Sequence, residues 1–124
     1  MILLLLVSVA GGLGAVARFS LDTWTRRRLR PHYPVGTFVI NLSGSLLLGL
    51  VAGLVLARMA SPLWQTVLGV GVLGGYTTFS AASVETVRLL QERRWAAAVL
   101  HGLGMLVLSV LLAAAGLWLG LQAV

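Results

Sequence analysis

The sequence contains no cysteine and no lysine, and only three acidic residues among its 124. The absence of cysteine excludes disulfides, thiolate metal sites and thiol catalysis. The formal net charge of +6 therefore comes from arginine alone. Because these arginines flank apolar runs and are not interleaved with aromatic residues, we expect no nucleic-acid surface. Anionic headgroups of a lipid bilayer are the expected partners.

Most of the remaining sequence is apolar. It is 59% hydrophobic and 10% charged, with a mean hydropathy of +1.00, which is outside the range of ordinary soluble domains. The length allows four membrane crossings and little else. We predict an all-α membrane protein with a single transmembrane domain over residues 1–124 and helices at about 1–24, 36–57, 63–90 and 95–121. A short basic turn from Arg26 to Arg30, followed by Pro31, is expected after the first helix.

The third apolar run has a weak centre. Residues 59–84 carry no charge, and the run exceeds the roughly 20 residues that a bilayer requires. Within it, residues 71–83 place glycines and hydroxyl residues at mid-span. In hydrocarbon a broken helix survives only where protein or a cavity takes up the freed N–H and C=O groups, and such breaks commonly hold ions. We predict that the third helix is broken at its centre and that the break is a candidate site.

Three pairs of glycines recur at a spacing of four residues, which lets helix backbones approach closely in lipid. The pattern predicts compact packing and oligomerisation, and we expect at least one pair to be incidental. The pairs are Gly49 and Gly53, Gly71 and Gly75, and Gly116 and Gly120.

Polar side chains follow one face of the second helix and one face of the fourth. Thr37, Asn41 and Ser45 fall at i, i+4 and i+8. A membrane has no water to satisfy an amide, so Asn41 must meet another helix or a polar cavity. A structural bridge and a pathway lining are both open for it. His101 and Ser109 repeat the pattern on the fourth helix, where a satisfied packing histidine is the alternative to a functional one.

Acidic residues are absent from the inner part of every predicted helix, since Asp22 and Glu85 both lie towards the ends of their runs. Proton-coupled exporters of this size require a mid-membrane carboxylate. A pathway lined by Asn, Thr and Ser suits an anion or a neutral solute instead. The positive edge of an aromatic ring such as Phe79 can meet an anion, although a packing role is equally open for Phe79 and Phe38.

Three segments occur in an order and spacing that resemble the CrcB/Fluc fluoride channels over nearly the whole chain: GGLGAVAR at residues 11–18, GTFVINLSG at 36–44 and GGYTTFS at 74–80. The resemblance implies a fluoride channel and no enzyme: a passive route for fluoride out of the cell that relieves fluoride toxicity. It also implies an antiparallel dimer of four-helix subunits with two narrow fluoride pathways. A structural sodium ion that is not transported is expected at the subunit interface.

The same resemblance assigns roles by position. It implies that Asn41 is the pore asparagine, that Phe79 is the first of two pore phenylalanines, and that the backbone carbonyls of Gly74 and Thr77 ligate sodium. Further pathway candidates are Thr37, Thr78, Ser80, His101 and Ser109.

Two charged residues also match family positions. Arg18 matches an arginine at the end of the first helix, where an interfacial anchor is the alternative. Glu85 matches an acidic residue near the mouth of the pathway, where a helix-end charge facing water is the alternative.

The chain departs from the family pattern beside the break. The family usually continues Thr-Thr-Phe-Ser-Thr-Phe, whereas Ala81 and Ala82 stand at the last two positions here. Met105 stands where the family often has serine. These changes predict that half of the aromatic lining is missing from this subunit.

Arginine is distributed unequally between the two ends of the predicted helices. The first and third loops hold Arg26, Arg27, Arg28, Arg30, Arg88, Arg93 and Arg94, and the second loop holds Arg58. This bias predicts a multi-pass protein of the cell membrane with both termini outside and the two basic loops in the cytoplasm. A fixed orientation favours dimerisation with an oppositely oriented homologue over dimerisation with a second copy.

Two other functions are compatible with the pattern. A non-conducting or regulatory subunit of a heteromeric channel would need only the packing faces, and Ala82 favours it. A small multidrug exporter shares the size and helix count but needs an embedded carboxylate.

Overall fold

The computed structural model describes residues 1–29 and 32–123. The described chain is all-helical, and four of its helical segments are long and apolar enough to cross a membrane, as predicted. Arg30 and Pro31 of the predicted basic turn lie outside the described residues. The helices are α1 (Ile2–Leu29), α2 (Val35–Leu56), α3 (residues 62–76), α4 (Ser80–Gln91) and α5 (Trp95–Leu121), and α3 and α4 together make the third span, Pro62–Gln91.

Helix α1 is longer than predicted, because it ends at Leu29 and not near residue 24. Arg26, Arg27 and Arg28, which were expected to form a turn, occupy its last turn. Arginine is a strong helix former, and cations are favourable at a helix C-terminus. An ion pair of 3.0 Å between Asp22 and Arg26, four residues apart, adds to the stability of this end.

Glycines hold the helices together in two seams, defined as the contact of α2 with α5 and the contact of α1 with α3. A Cβ atom at Gly120 would lie 2.6 Å from the Leu50 carbonyl oxygen, and one at Gly71 would lie 2.7 Å from the Ala10 Cβ. All six glycines of the three pairs are this close to a neighbouring helix. The expectation of an incidental pair is wrong, and all three pairs serve packing within the subunit.

Two stretches of the spans are wound as wider π-helical turns, at Gln65–Leu73 within α3 and Leu100–Gly104 within α5. Such turns are frequent at functional sites because they change the direction of the side chains that follow. The first leads directly into the break, and the second contains His101.

Candidate functional site

The third span is interrupted between Tyr76 and Ser80, as predicted. Thr77 is extended, with a ψ of 159°, so the helical ladder stops there. Its N–H and its hydroxyl both donate to the Leu73 carbonyl, each at 2.9 Å. On the other side of the break the Thr78 hydroxyl accepts from the Ala81 N–H at 3.2 Å, which caps the start of α4.

Asn41 bridges the break from α2. Its Nδ2 donates to the Thr78 carbonyl and its Oδ1 accepts from the Thr78 N–H, both at 2.8 Å. In a continuous helix that N–H would donate to the Gly74 carbonyl. One side chain therefore satisfies both backbone groups of Thr78, which answers the cost of breaking a helix in hydrocarbon. Asn41 also reaches Met105, whose sulfur accepts from Nδ2 at 3.4 Å.

Arg18 supports the same break from α1. Its Nε donates to the Gly75 carbonyl at 3.3 Å. The close approach depends on glycine, because a Cβ at Gly14 would collide with the Val72 carbonyl and one at Gly75 with the Gly11 carbonyl. The Arg18 side chain is thus half-buried and bonded to the backbone next to the break.

A cavity of about 590 Å³ lies beside the break and is here called the central cavity. It brings together many of the predicted site residues: Asn41, Gly74, Thr77, Thr78, Phe79, His101 and Ser109. Within the described part of the chain, no arginine or acidic side chain lines it. Ala82 and Met105, two of the three positions at which the chain departs from the family pattern, form part of its wall.

The remaining predicted residues lie elsewhere. Thr37, although on the same helix as Asn41, is buried and turned to Glu85. The Ser80 hydroxyl is exposed and lies 3.4 Å from the Thr78 hydroxyl, outside the central cavity.

Glu85 is the centre of a buried polar cluster. The alternative that it is a helix-end charge facing water is therefore wrong. Its residue is 8% exposed. Oε1 accepts from the Thr37 hydroxyl at 3.0 Å and lies 3.4 Å from an Arg26 guanidinium nitrogen, while Oε2 lies 2.9 Å from His101 Nε2. The position of Glu85 towards the end of its run did not indicate this burial, which is tolerable because partners surround the carboxylate.

His101 is fully buried, and both of its ring nitrogens are hydrogen-bonded. Nδ1 is paired with the Tyr33 hydroxyl at 2.8 Å, and Nε2 with Glu85. Burial, followed by the charge of Glu85, raises the pKa of Tyr33 to about 12. The Tyr33 hydroxyl therefore keeps its proton at physiological pH.

The sequence interpretation did not find Arg26 and Tyr33 as parts of this cluster. One feature of the sequence could have indicated the role of Arg26. With only three acidic residues and nine arginines, each acidic residue should find a cationic partner. The spacing of Asp22 and Arg26 indicated only their local pair. Tyr33 gave no signal, because it lies in the connection before α2.

A second cavity of about 210 Å³, here called the outer cavity, adjoins this cluster at the arginine-rich end. In contrast to the central cavity, it is lined mainly by polar and charged residues. They include Asp22, Arg26, His32, Tyr33, Glu85, Arg88, Glu92 and Arg94.

Phe79 is 87% exposed although it lies at the break in mid-span. Phe38, by contrast, is half-buried and meets Tyr33 edge to face at 5.9 Å between ring centroids. Within the described subunit, Phe38 therefore has the packing role that was open for both rings, and Phe79 does not.

Comparison with known proteins covers nearly the whole chain. Residues 5–121 match the sequence model of the family described as CrcB-like protein, Camphor Resistance (CrcB). A protein of Leifsonia xyli subsp. xyli named fluoride-specific ion channel FluC 1 is 51% identical over 119 residues, which are 96% of this chain and 87% of that protein. One of Nitrobacter hamburgensis named FluC 2 is 45% identical over 121 residues, 97% and 94% of the two chains. One of Coxiella burnetii named FluC is 38% identical over 118 residues, 94% and 92% of the two chains.

Proposed function

We propose that this chain, which belongs to the CrcB family, is a subunit of a fluoride-selective channel through which fluoride leaves the cell passively. The observation that carries the proposal is the broken third span, bridged by Asn41 beside a cavity lined by neutral hydroxyl and amide groups. The relatives are named as fluoride-specific ion channels. No chemical step is required of any residue.

Fluoride holds its hydration water tightly, so a selective path must offer replacement donors. Asn41 has one N–H donor available for this purpose. An amide nitrogen carries two N–H groups, and only one of them is needed for the Thr78 carbonyl. The other faces the sulfur of Met105, which is a weak acceptor that an anion can replace. The Thr78 and Ser109 hydroxyls line the same cavity and complete a set of neutral donors.

Sodium is proposed as a structural ion held by the backbone carbonyls of Gly74 and Thr77. The Thr78 N–H, which would donate to the Gly74 carbonyl in a continuous helix, is directed to Asn41 instead. Oxygen ligands suit a hard cation, and unwound carbonyls are typical ligands for sodium. When bound, the ion would add positive potential beside the cavity, which favours an anion.

A dimer completes the site in this proposal. Phe79 is exposed at mid-span and Gly74 is also exposed, so both are available to a second subunit. The glycine pairs are already used within the subunit, so the dimer contact must use other surfaces. An antiparallel partner would bring its own break against this one.

The identity of the partner follows from charge and from Ala82. The arginine-rich end has most of the cationic residues, which favours one orientation, with the termini outside and the two basic loops in the cytoplasm. Ala82 leaves the wall of the central cavity without a second ring. An oppositely oriented homologue would supply that ring, and a second copy of this chain would not.

The exporter alternative is not favoured. Its embedded carboxylate could only be Glu85, which is already bonded to Thr37, His101 and Arg26. The relatives are named as fluoride channels and not as exporters. A regulatory, non-conducting subunit is the outcome to be distinguished by experiment.

The test is fluoride efflux from liposomes, measured with a fluoride electrode and started with valinomycin so that potassium balances the charge. Vesicles contain this chain alone, a candidate homologue alone, or the two chains together. Fluoride efflux with chloride retained supports the channel. Efflux that requires both chains supports the heterodimer, whereas equal efflux from the homologue alone supports a non-conducting subunit. Absence of efflux in all preparations overturns the proposed function.

A further inference from the structure

The last third of α1 has one face turned away from the rest of the subunit. The opposite face makes the internal contacts: Gly14 packs against Val72, Arg18 bonds to Gly75, and Thr25 is buried. With 3.6 residues per turn, the outward positions follow one another along a single side of the helix. They form a shallow surface groove of about 520 Å³, here called the α1 groove. It is lined by Phe19, Ser20, Thr23, Trp24, Arg27 and Arg28.

The α1 groove is apolar at one end and cationic at the other. Phe19 is 71% exposed and Trp24 is 53% exposed, so the described subunit leaves both rings largely uncovered. Arg27 and Arg28 lie at the other end. At a rise of 1.5 Å per residue, Phe19 and Arg28 are about 13 Å apart along the helix axis. The headgroup region of one leaflet is only about 5–8 Å thick, so Phe19 lies beside acyl chains when the arginines lie among the phosphates.

The charges of Arg27 and Arg28 are available to a ligand. The neighbouring Arg26 is paired with Asp22 and Glu85. Within the described part of the chain, no acidic side chain lies within ion-pair distance of Arg27 or Arg28. A guanidinium group binds a phosphate with two parallel hydrogen bonds. A headgroup with an ammonium group would bring a cation against these arginines, whereas an anionic headgroup without an amine would not.

We propose that the α1 groove binds one anionic phospholipid without an amine, such as phosphatidylglycerol. Arg27 and Arg28 hold its phosphate, and an acyl chain lies along Phe19. Trp24 lies between them, at the boundary of headgroup and hydrocarbon where indole rings are favoured. Free phosphate would meet only the arginines and leave both rings uncovered. The inference does not depend on the proposed fluoride channel.

Trp24 reports on the lipid in the groove. The test uses the full-length chain with the substitutions Trp64→Phe, Trp95→Phe and Trp118→Phe, so that Trp24 is the one remaining indole. Liposomes of phosphatidylcholine contain a small fraction of phosphatidylglycerol or phosphatidylcholine with the same brominated acyl chains. Bromine quenches the fluorescence of an indole that it contacts. Each arginine near a membrane surface adds about fivefold in affinity for an anionic lipid, so we expect brominated phosphatidylglycerol to be preferred by about 10-fold or more.

Substitutions at the arginines separate this site from the general charge of the protein. Arg27→Gln and Arg28→Gln should each lower the preference about fivefold. Arg27→Lys keeps the charge but not the planar guanidinium group, so its loss should be smaller than that of Arg27→Gln. Arg93 is exposed at the same end of the spans and lies outside the α1 groove. Arg93→Gln is therefore the matched control, and screening by salt should keep its effect below about twofold.

Four outcomes overturn the proposal. Equal quenching of Trp24 by the two brominated lipids shows that the groove has no preference. Absence of quenching by either lipid shows that protein, such as a second subunit, covers this face. A preference that both Arg27→Gln and Arg28→Gln retain shows that these arginines do not hold the headgroup. An effect of Arg93→Gln as large as that of Arg27→Gln assigns the preference to overall charge. Fluoride efflux enters none of these measurements, so failure of the proposed function would leave them unchanged.

Discussion

The seam between α2 and α5 and the break in the third span both depend on glycine, but they use it differently. In the seam, glycine only removes a side chain, and the helices keep their internal hydrogen bonds while their backbones touch. At the break, the helix gives up hydrogen bonds, and side chains from two other helices replace them. The difference shows that small residues within the apolar spans are enough for close packing of helices. A break in a span also requires polar side chains from helices that are distant in the sequence.

Asn41→Asp tests the break most severely. The carboxylate cannot donate to the Thr78 carbonyl and places negative charge in the proposed path. Loss of this bond and repulsion of the carbonyl cost about 3 kcal/mol, so we expect fluoride efflux to fall by about 100-fold or more. The fluoride electrode assay measures it. Ser8→Ala is the control, because the exposed Ser8 hydroxyl bonds to the Leu4 carbonyl of its own helix and does not line the central cavity, and its efflux should fall by less than about threefold. If Asn41→Asp conducts fluoride at the rate of the parent chain, Asn41 is not part of the pathway.

Gly49→Ala tests the seam. A Cβ at this position collides with the Ala113 carbonyl, so the two helices must separate. We expect a loss of about 2 kcal/mol in the free energy of unfolding, measured by denaturant titration in detergent. Gly12→Ala is the matched control, because a Cβ there meets nothing within 4 Å. Equal stability of the two variants would show that the seam does not depend on close approach.

Removal of sodium separates the two regions. The proposed ion binds carbonyls of the break and none of the seam, so replacement of sodium by a large organic cation should affect the break alone. At sodium concentrations several times the dissociation constant, we expect a loss of about 1 kcal/mol in stability. Thermal unfolding in the two salts measures it. Gly49→Ala should lose the same amount as the parent, and an unchanged unfolding temperature in the parent would contradict the sodium site.

Thr78→Val gives the smallest effect. It removes the hydroxyl that accepts from the Ala81 N–H and so weakens the start of α4. We expect a loss of about 0.5–1 kcal/mol in the free energy of unfolding. Thr66→Val is the control, because the Thr66 hydroxyl only bonds to the Pro62 carbonyl of its own helix. A Thr66→Val effect as large as that of Thr78→Val would show that the cap adds nothing at the break.

Much of the site was predictable, but one end of it was not. The break followed from glycines and threonines at the centre of a charge-free span. The need for a polar partner for Asn41 followed from the cost of a buried amide. The burial of Glu85 did not follow, because its sequence position near a helix end indicated solvent. The fold places Thr37 and His101 against it from two other helices.

The sequence by itself determined the four spans, the position of the break and the basic end, because hydropathy, chain length and lost backbone hydrogen bonds are properties of local residues. Only the tertiary structure decided which groups replace those bonds. Asn41 and Thr78 are 37 residues apart in the chain, and Tyr33 and His101 are 68 apart. Such pairs form because buried polar groups in an apolar medium must find partners, and the packing of the helices alone determines which partners are within reach.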